Sequence, residues 1–485
     1  MLFNSIPFVI FFVILFALYY FVFKEKTKPQ NILLLVASYM FYAWADWRIL
    51  PLLIVSTLVF YGLGIAIFNA AGSRRATTLS TLGVVFGIAV LGYFKYTNFF
   101  ISSFKDLFDS IGLQTNLHTF NIILPIGISF YTFRLLGYVI DINRGKYEPT
   151  RDIVAFSTYV AFFPCILSGP IDRPNTLIPQ LQMKRTFDNS LAVDGLRQIL
   201  WGLFKKMVIA DNCAVITNEI FNNSTNYPGS TLVLGAIFYT FQMYADFSGY
   251  TDMAIGVGKL LGFRLTKNFN YPLFAQNIAD FWRRWHISLT SWLTDYVFMP
   301  LNVKWRDWGK WGMILAIVVN FVLCGFWHGA NWMFVLWGLF HGLLFIPLIL
   351  SGAMFKKTTI ETYKWGFPKL KTLGNMLLTF ALVAFGLILF RAESVAQAVD
   401  YISEIFSSSL FSFPHGINVN GIAKSTLVFI SIFMLVEWFG RENQYAIEKL
   451  DFAKKKYFRW AIYYAIILLI CSSGGEEQDF IYFQF

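Results

Sequence analysis

The sequence predicts an all-α, polytopic integral membrane protein. Three observations carry that prediction. The chain repeats long apolar runs too many times for a soluble core. It is 56% hydrophobic and only 14% charged, against roughly 25% charged in ordinary soluble domains. Its 19% aromatic content suits belts at several membrane interfaces. Backbone groups in hydrocarbon must find partners within the chain, and helices do so segment by segment.

A span needs about 20 mostly apolar residues. In order, the candidates are 6–23, 31–45, 49–70, 78–98, 121–140, 152–169, 196–216, 230–258, 311–327, 331–351, 375–391, 424–440 and 459–472. Several are short or interrupted, so roughly eleven to thirteen helical elements are expected to cross or enter the bilayer, some of them re-entrant or interfacial. The run 6–23 has no basic segment before it and is followed by Lys24, Lys26 and Lys28. It reads as a retained span rather than a cleaved signal.

The net charge of +11 comes from Lys and Arg in short loops, not from one basic stripe. It therefore reads as a topology signal, and no nucleic-acid partner is expected. Basic loops at 24–28, 74–75, 144–151, 356–371 and 441–456 should face the cytoplasm, which puts the N-terminus and residues 474–485 outside. Arg306 and Lys310 start 311–327 inside. Strict alternation through 230–258 conflicts with that, so one middle segment should not cross fully. His328 then falls toward the outer half of the membrane.

Residues 265–310 do not read as a span. Lys267, Asn268, Asn270, Asp280, Arg283, Arg284, His286, Asp295 and Arg306 alternate with aromatic and apolar residues there. Such a stretch either lies along the interface or re-enters around a cavity. With no internal repeat or soluble linker, residues 1–485 read as one membrane domain. Its core spans about 1–351, with further helices at about 375–485. The four Cys lack metal or disulfide spacing and read as packing residues. No P-loop, dinucleotide fingerprint or HExxH zinc motif occurs, and no metal site is expected.

The chain has five His. His328 sits between two apolar segments, where an ionisable residue marks a functional site by default. Two readings stand for it: a structural hydrogen bond between helices, or a general base. Trp327 beside it would desolvate the ring and favour neutral imidazole. Gly325 and Gly329 permit close approach. Asn331, three residues on, would share its face if the helix continued. His286 follows Trp282, Arg283 and Arg284. The two guanidiniums suit either cofactor-like phosphates or headgroups at the interface. Asp246, Ser248, Tyr250 and Asp252 cannot all face lipid, so they line a cavity or bond one another. A Ser248 nucleophile with a His base is conceivable. His341 reads as structural.

Several stretches resemble the membrane-bound O-acyltransferase family, above all its branch that O-acetylates alginate. They are Leu124-Pro-Ile-Gly-Ile-Ser-Phe-Tyr-Thr-Phe133, Ser168-Gly-Pro-Ile-Asp-Arg-Pro174 and Asp246-Phe-Ser-Gly-Tyr-Thr-Asp-Met-Ala-Ile-Gly256. Further along are Asn270-Tyr-Pro-Leu-Phe274, Asp280-Phe-Trp-Arg-Arg-Trp-His-Ile-Ser-Leu-Thr290 and Gly325-Phe-Trp-His-Gly-Ala-Asn-Trp332. Phe390-Arg-Ala392 and Phe480-Ile-Tyr-Phe-Gln-Phe485 complete the set. Their shared order along nearly the whole chain is more specific than any one motif.

The resemblance implies a helical core around a central cavity, with His328 catalytic and His286 the second functional position. It implies acyl transfer, expected to be acetyl, from a cytoplasmic thioester across the membrane to hydroxyls of an extracytoplasmic polysaccharide or to a partner protein. The donor would be acetyl-CoA or an acyl carrier thioester, with no tightly bound cofactor. Trp282, Arg283, Arg284, Trp327, Asn331, Asp246, Ser248 and Tyr250 are the candidate donor- and substrate-binding residues. A periplasmic or membrane-anchored acetyltransferase partner and residence in the bacterial inner membrane, among its lipids, are also implied. A related family member moves D-alanine toward teichoic acid, so donor identity stays open. From other classes, a transporter with broken helices or a scaffold for polymer export also fits the residues alone.

Overall fold

The computed structural model describes residues 1–113, 115–416, 421–450, 455–473 and 478–481. Of the expected outer segment 474–485 and the terminal motif, residues 474–477 and 482–485 lie outside that description. The described chain is helical, with no strand among the described residues. Six helices are long and apolar enough to cross a membrane: Trp47–Asn69, Arg74–Ser110, Arg306–His328, Trp332–Leu350, Leu370–Arg391 and Ile422–Gly440. These match six of the expected spans. The protein is an integral membrane protein.

The remaining expected spans differ for local reasons. Ile6–Val22 is a shorter apolar helix. Only Ile128–Asn143 of 121–140 is helical; it starts after Gly127, whose φ of 75° is left-handed and favours glycine. The run 152–169 breaks at Phe162 into Ile153–Ala161 and Phe163–Ile166; Pro164, in the first turn of the second helix, has no N–H with which to continue the first. The run 196–216 widens to a π-helix at Phe204–Ala210. Gly229–Leu260 is one unbroken helix of 32 residues, but its polar stretch 246–252 lowers its apolarity.

The stretch 265–310 is no span. It folds into the helix Ile278–Arg284 and a continuous helical run of Ile287–Leu293, the π-helix Thr294–Phe298 and Met299–Lys304, with single turns at Pro272–Phe274 and Arg306–Trp308. Asn277 caps the first of these, its side chain accepting from the Asp280 N–H, as N-cap Asn does. Asn268, Asp280 and His286 are buried within this stretch, while Arg283 is exposed.

Two compact units emerge: residues 1–196 with 254–266, and residues 197–253 with 267–485. In the first unit, buried Arg134 donates to the carbonyls of Tyr159, Val160, Cys165 and Pro170. Those carbonyls lie where the chain leaves helical geometry and would otherwise be unsatisfied. Arg185 similarly ties Tyr19, Asn31 and Leu181 together. The motifs at 124–133 and 168–174 are thus part of a structural knot, in which a Cβ at Gly127 would meet the Ile166 carbonyl.

The second unit contains both singled-out histidines. Its centre is the helical hairpin of Gly309–His328 and Trp332–Leu344. The two helices touch through glycine: a Cβ at Gly325 would meet the Phe334 carbonyl, and one at Gly338 the Phe321 carbonyl. Small residues let backbones approach where the hydrophobic effect gives no drive to associate.

Candidate active site

His328 is the last residue of its helix. Gly329 follows with φ −163° and ψ 157°, ending the helix. Asn331 then starts the next one, its Oδ1 accepting from the Met333 N–H at 2.9 Å. The expectation that Asn331 shares a helical face with His328 is therefore corrected. The helix stops between them, and the Asn331 side chain is a cap.

The turn folds Trp332–Leu344 back beside His328. The Trp337 ring meets the imidazole edge-on at 5.2 Å between centroids. Phe390 does the same at 5.3 Å. Together with Trp282, Trp285, His341 and apolar neighbours they enclose a cavity of ≈ 20 Å³. That is room for about one water-sized group.

His341, read from the sequence as structural, also lines this cavity. The Trp282 indole donates to His341 Nδ1 at 3.3 Å. In neutral imidazole the proton then sits on Nε2. Trp282, expected near donor or substrate, therefore orients a second cavity imidazole.

His286 shares Trp327 with His328 as a ring neighbour. That indole contacts both rings, at 4.9 Å to His328 and 5.9 Å to His286. Phe247 packs edge-on against His286 at 4.7 Å. The backbone of His286 is left-handed, φ 45° and ψ 52°, a conformation that costs a non-glycine residue about 1–3 kcal/mol. Asn268 helps to hold it. Its Oδ1 accepts from the Ser288 N–H at 3.1 Å and Ser288 Oγ at 2.8 Å. It lies 3.1 Å from His286 Nδ1. The backbone donor identifies that atom as the amide oxygen, so His286 Nδ1 carries the proton and donates. Nε2 is then the ring's basic nitrogen. Burial pushes the imidazole pKa down to about 3, because low dielectric disfavours the charged ring.

Of the paired arginines, Arg284 is held by Asp280 at 2.9 Å. Arg283 is exposed and donates to the carbonyls of Met354 and Lys356.

Asp246, Ser248 and Tyr250 form a separate group in the same unit, and none of them lines the His328 cavity. Lys206 bridges Asp246 at 3.0 Å and Asp211 at 2.8 Å. Lys205 donates to Ser248 Oγ at 2.9 Å and Asp252 at 2.6 Å. Ser248 thus takes its hydrogen bond from an ammonium, not from an imidazole. Tyr250 stacks on Phe480 at 4.6 Å, and the Ile481 N–H donates to Asp246 at 2.7 Å. Lys205 and Lys206 were missed in the sequence reading. Two adjacent lysines inside the apolar run 196–216 were the available signal, because intramembrane charges demand partners.

The profile of the membrane-bound O-acyltransferase family matches residues 149–383. A probable alginate O-acetylase of Azotobacter vinelandii is 41% identical over 417 residues, 84% of this chain and 78% of the relative. A peptidoglycan O-acetyltransferase of Helicobacter pylori is 31% identical over 82% of this chain and 78% of the relative. A teichoic acid D-alanyltransferase of Bacillus subtilis is 32% identical over 56% of this chain and 70% of the relative. With its buried imidazoles in a helical membrane unit, the chain belongs to the membrane-bound O-acyltransferase family, and it is an acyltransferase.

Proposed function

We propose that the protein moves an acetyl group from a cytoplasmic thioester, acetyl-CoA or an acyl carrier thioester, to hydroxyls of an extracytoplasmic polysaccharide, directly or through a periplasmic or membrane-anchored acetyltransferase partner. The observation that carries this is the buried pair His328 and His286, both in contact with Trp327. A base held in a small, mostly aromatic cavity suits removal of a hydroxyl proton. The acetylating relatives named for alginate and peptidoglycan support the acetyl donor and the polymeric acceptor.

In this reading the acceptor oxygen attacks the thioester carbonyl carbon. His328 takes the hydroxyl proton, the C–S bond breaks, and the sulfur leaves with the electron pair and is protonated in turn. Acid–base help of this kind contributes about 10² to 10⁴-fold. His286, neutral and held by Asn268, acts next to Trp327 as a positioning group. Arg283 suits the donor's phosphates, being exposed; Arg284, committed to Asp280, suits them less. The basic loops support an inner-membrane protein with both termini extracytoplasmic. A D-alanyl carrier thioester is the second donor to test, favoured by the D-alanyltransferase relative.

The test is acetyl transfer from radiolabelled acetyl-CoA in proteoliposomes, wild type against His328→Ala. Loss of label from the donor in wild type alone is the expected result. Equal turnover in both would remove His328 from the chemistry. Turnover only with the D-alanyl thioester would replace the donor.

A further inference from the structure

Trp337 and His341 lie one turn apart on Trp332–Leu344, a spacing that puts them on one helix face. Both line the cavity that holds His328. Each presents a donor that the mechanism above leaves unused. The Trp337 ring is 4% exposed, and its indole N–H meets no acceptor among the described residues. A buried donor left in that state is costly, and most such groups in proteins are satisfied. His341, 1% exposed, accepts at Nδ1 from Trp282, so its own N–H is at Nε2. Gly386 faces that nitrogen, and a Cβ there would stand 3.0 Å from it. The cavity, ≈ 20 Å³, is the size of one oxygen-sized group, and most of its wall is aromatic or aliphatic.

We propose that Trp337 Nε1–H and His341 Nε2–H form an oxyanion hole for the acyl carbonyl oxygen, beside His328. The inference rests on the acyl-transfer reading and adds to it the groups that stabilise the tetrahedral intermediate. When the acceptor oxygen adds to the carbonyl carbon, the C=O π electrons move onto the carbonyl oxygen. The two N–H groups bind that oxyanion. The electrons return as the C–S bond breaks and the sulfur departs. Fixed donors in a water-poor site need no reorganisation as charge develops. Trp282 acts as a positioning residue, because its hydrogen bond sets the His341 tautomer.

The experiment measures kcat and KM for acetyl-CoA in proteoliposomes for wild type, Trp337→Phe, His341→Gln, His341→Leu and Gly386→Ala, with melting temperatures alongside. Trp337→Phe keeps an aromatic ring against His328 and Phe390 but deletes the donor. Its kcat should fall about 10² to 10³-fold, the usual loss for one oxyanion donor, with KM and melting temperature little changed. His341→Gln, which keeps an N–H, should retain more kcat than His341→Leu. Gly386→Ala should lower kcat with both donors still present.

Near-wild-type kcat in Trp337→Phe would overturn the assignment. So would losses that simply follow melting temperature, with His341→Gln no better than His341→Leu; the residues would then act by packing, or hold a structural water. Absence of wild-type turnover would instead reject acetyl-CoA as the donor; the same variants are then compared on the carrier thioester that the wild type turns over, where the same losses are expected and near-wild-type kcat in Trp337→Phe again overturns the assignment.

Discussion

His286 shows how one side chain's role depends on another far from obvious in sequence. Its ring is buried and its backbone left-handed, a conformation that the surrounding structure must hold. Asn268, eighteen residues earlier, supplies one oxygen that three donors share. Its backbone carbonyl also accepts from the Ile287 N–H at 2.8 Å. Asn268→Ala should therefore destabilise the protein by about 1–3 kcal/mol, the cost of leaving buried donors unmade. Acetyl transfer should fall by about 10²-fold, as displaced catalytic geometry does. Thermal melts in detergent and donor turnover check both, and an unchanged rate would mean that His286 needs no fixed orientation. At this scale the sequence was legible where a residue contradicts its surroundings. His328, His286 and Asp246 stood out because polar groups amid apolar runs are expensive. His341, Trp337 and Asn268 did not, because a ring's partners and tautomer follow from what the fold brings beside it.

Among the elements, the hairpin of Gly309–His328 and Trp332–Leu344 controls the site. His328 ends one helix, while Trp337 and His341 sit on the other, so their spacing depends on how closely the two backbones approach. Gly325 and Gly338 set that approach. Gly325→Ala should force the helices apart, at about 1–3 kcal/mol for an overpacked contact, and lower kcat by widening the cavity. Gly374→Ala is the matched control. A Cβ there meets nothing within 4 Å, and removing an interior helical glycine should stabilise by roughly 0.5–1 kcal/mol. Thermal melts and kcat for the pair decide the matter; equal behaviour would mean that the glycine contact does not position the site. Helix existence was legible from apolar length. Breaks were legible only where Pro164 announced one. The π segment at Phe204–Ala210 and the cap at Asn331 depend on which hydrogen bonds the packed chain makes.

For the molecule as a whole, the basic loops predict the side on which each turn lies. Residues 299–304 should face the cytoplasm, so a Cys at Asn302 should react with a membrane-impermeant maleimide only when the cytoplasmic face is open. Labelling of intact cells from outside would reverse the orientation of this part of the chain, and with it the direction of transfer proposed above. The six span-length helices match the apolar patterning, whereas the two compact units were no part of the sequence reading of one membrane domain. By itself the sequence determined the solvent, the helical class and the residues whose polarity is out of place. These follow from transfer free energies and backbone hydrogen bonding, which are properties of segments. Only the tertiary structure decided that His328, Trp337 and His341 share one small cavity while Asp246 and Ser248 pair with lysines. Those outcomes depend on ångström-scale packing between residues distant in the chain.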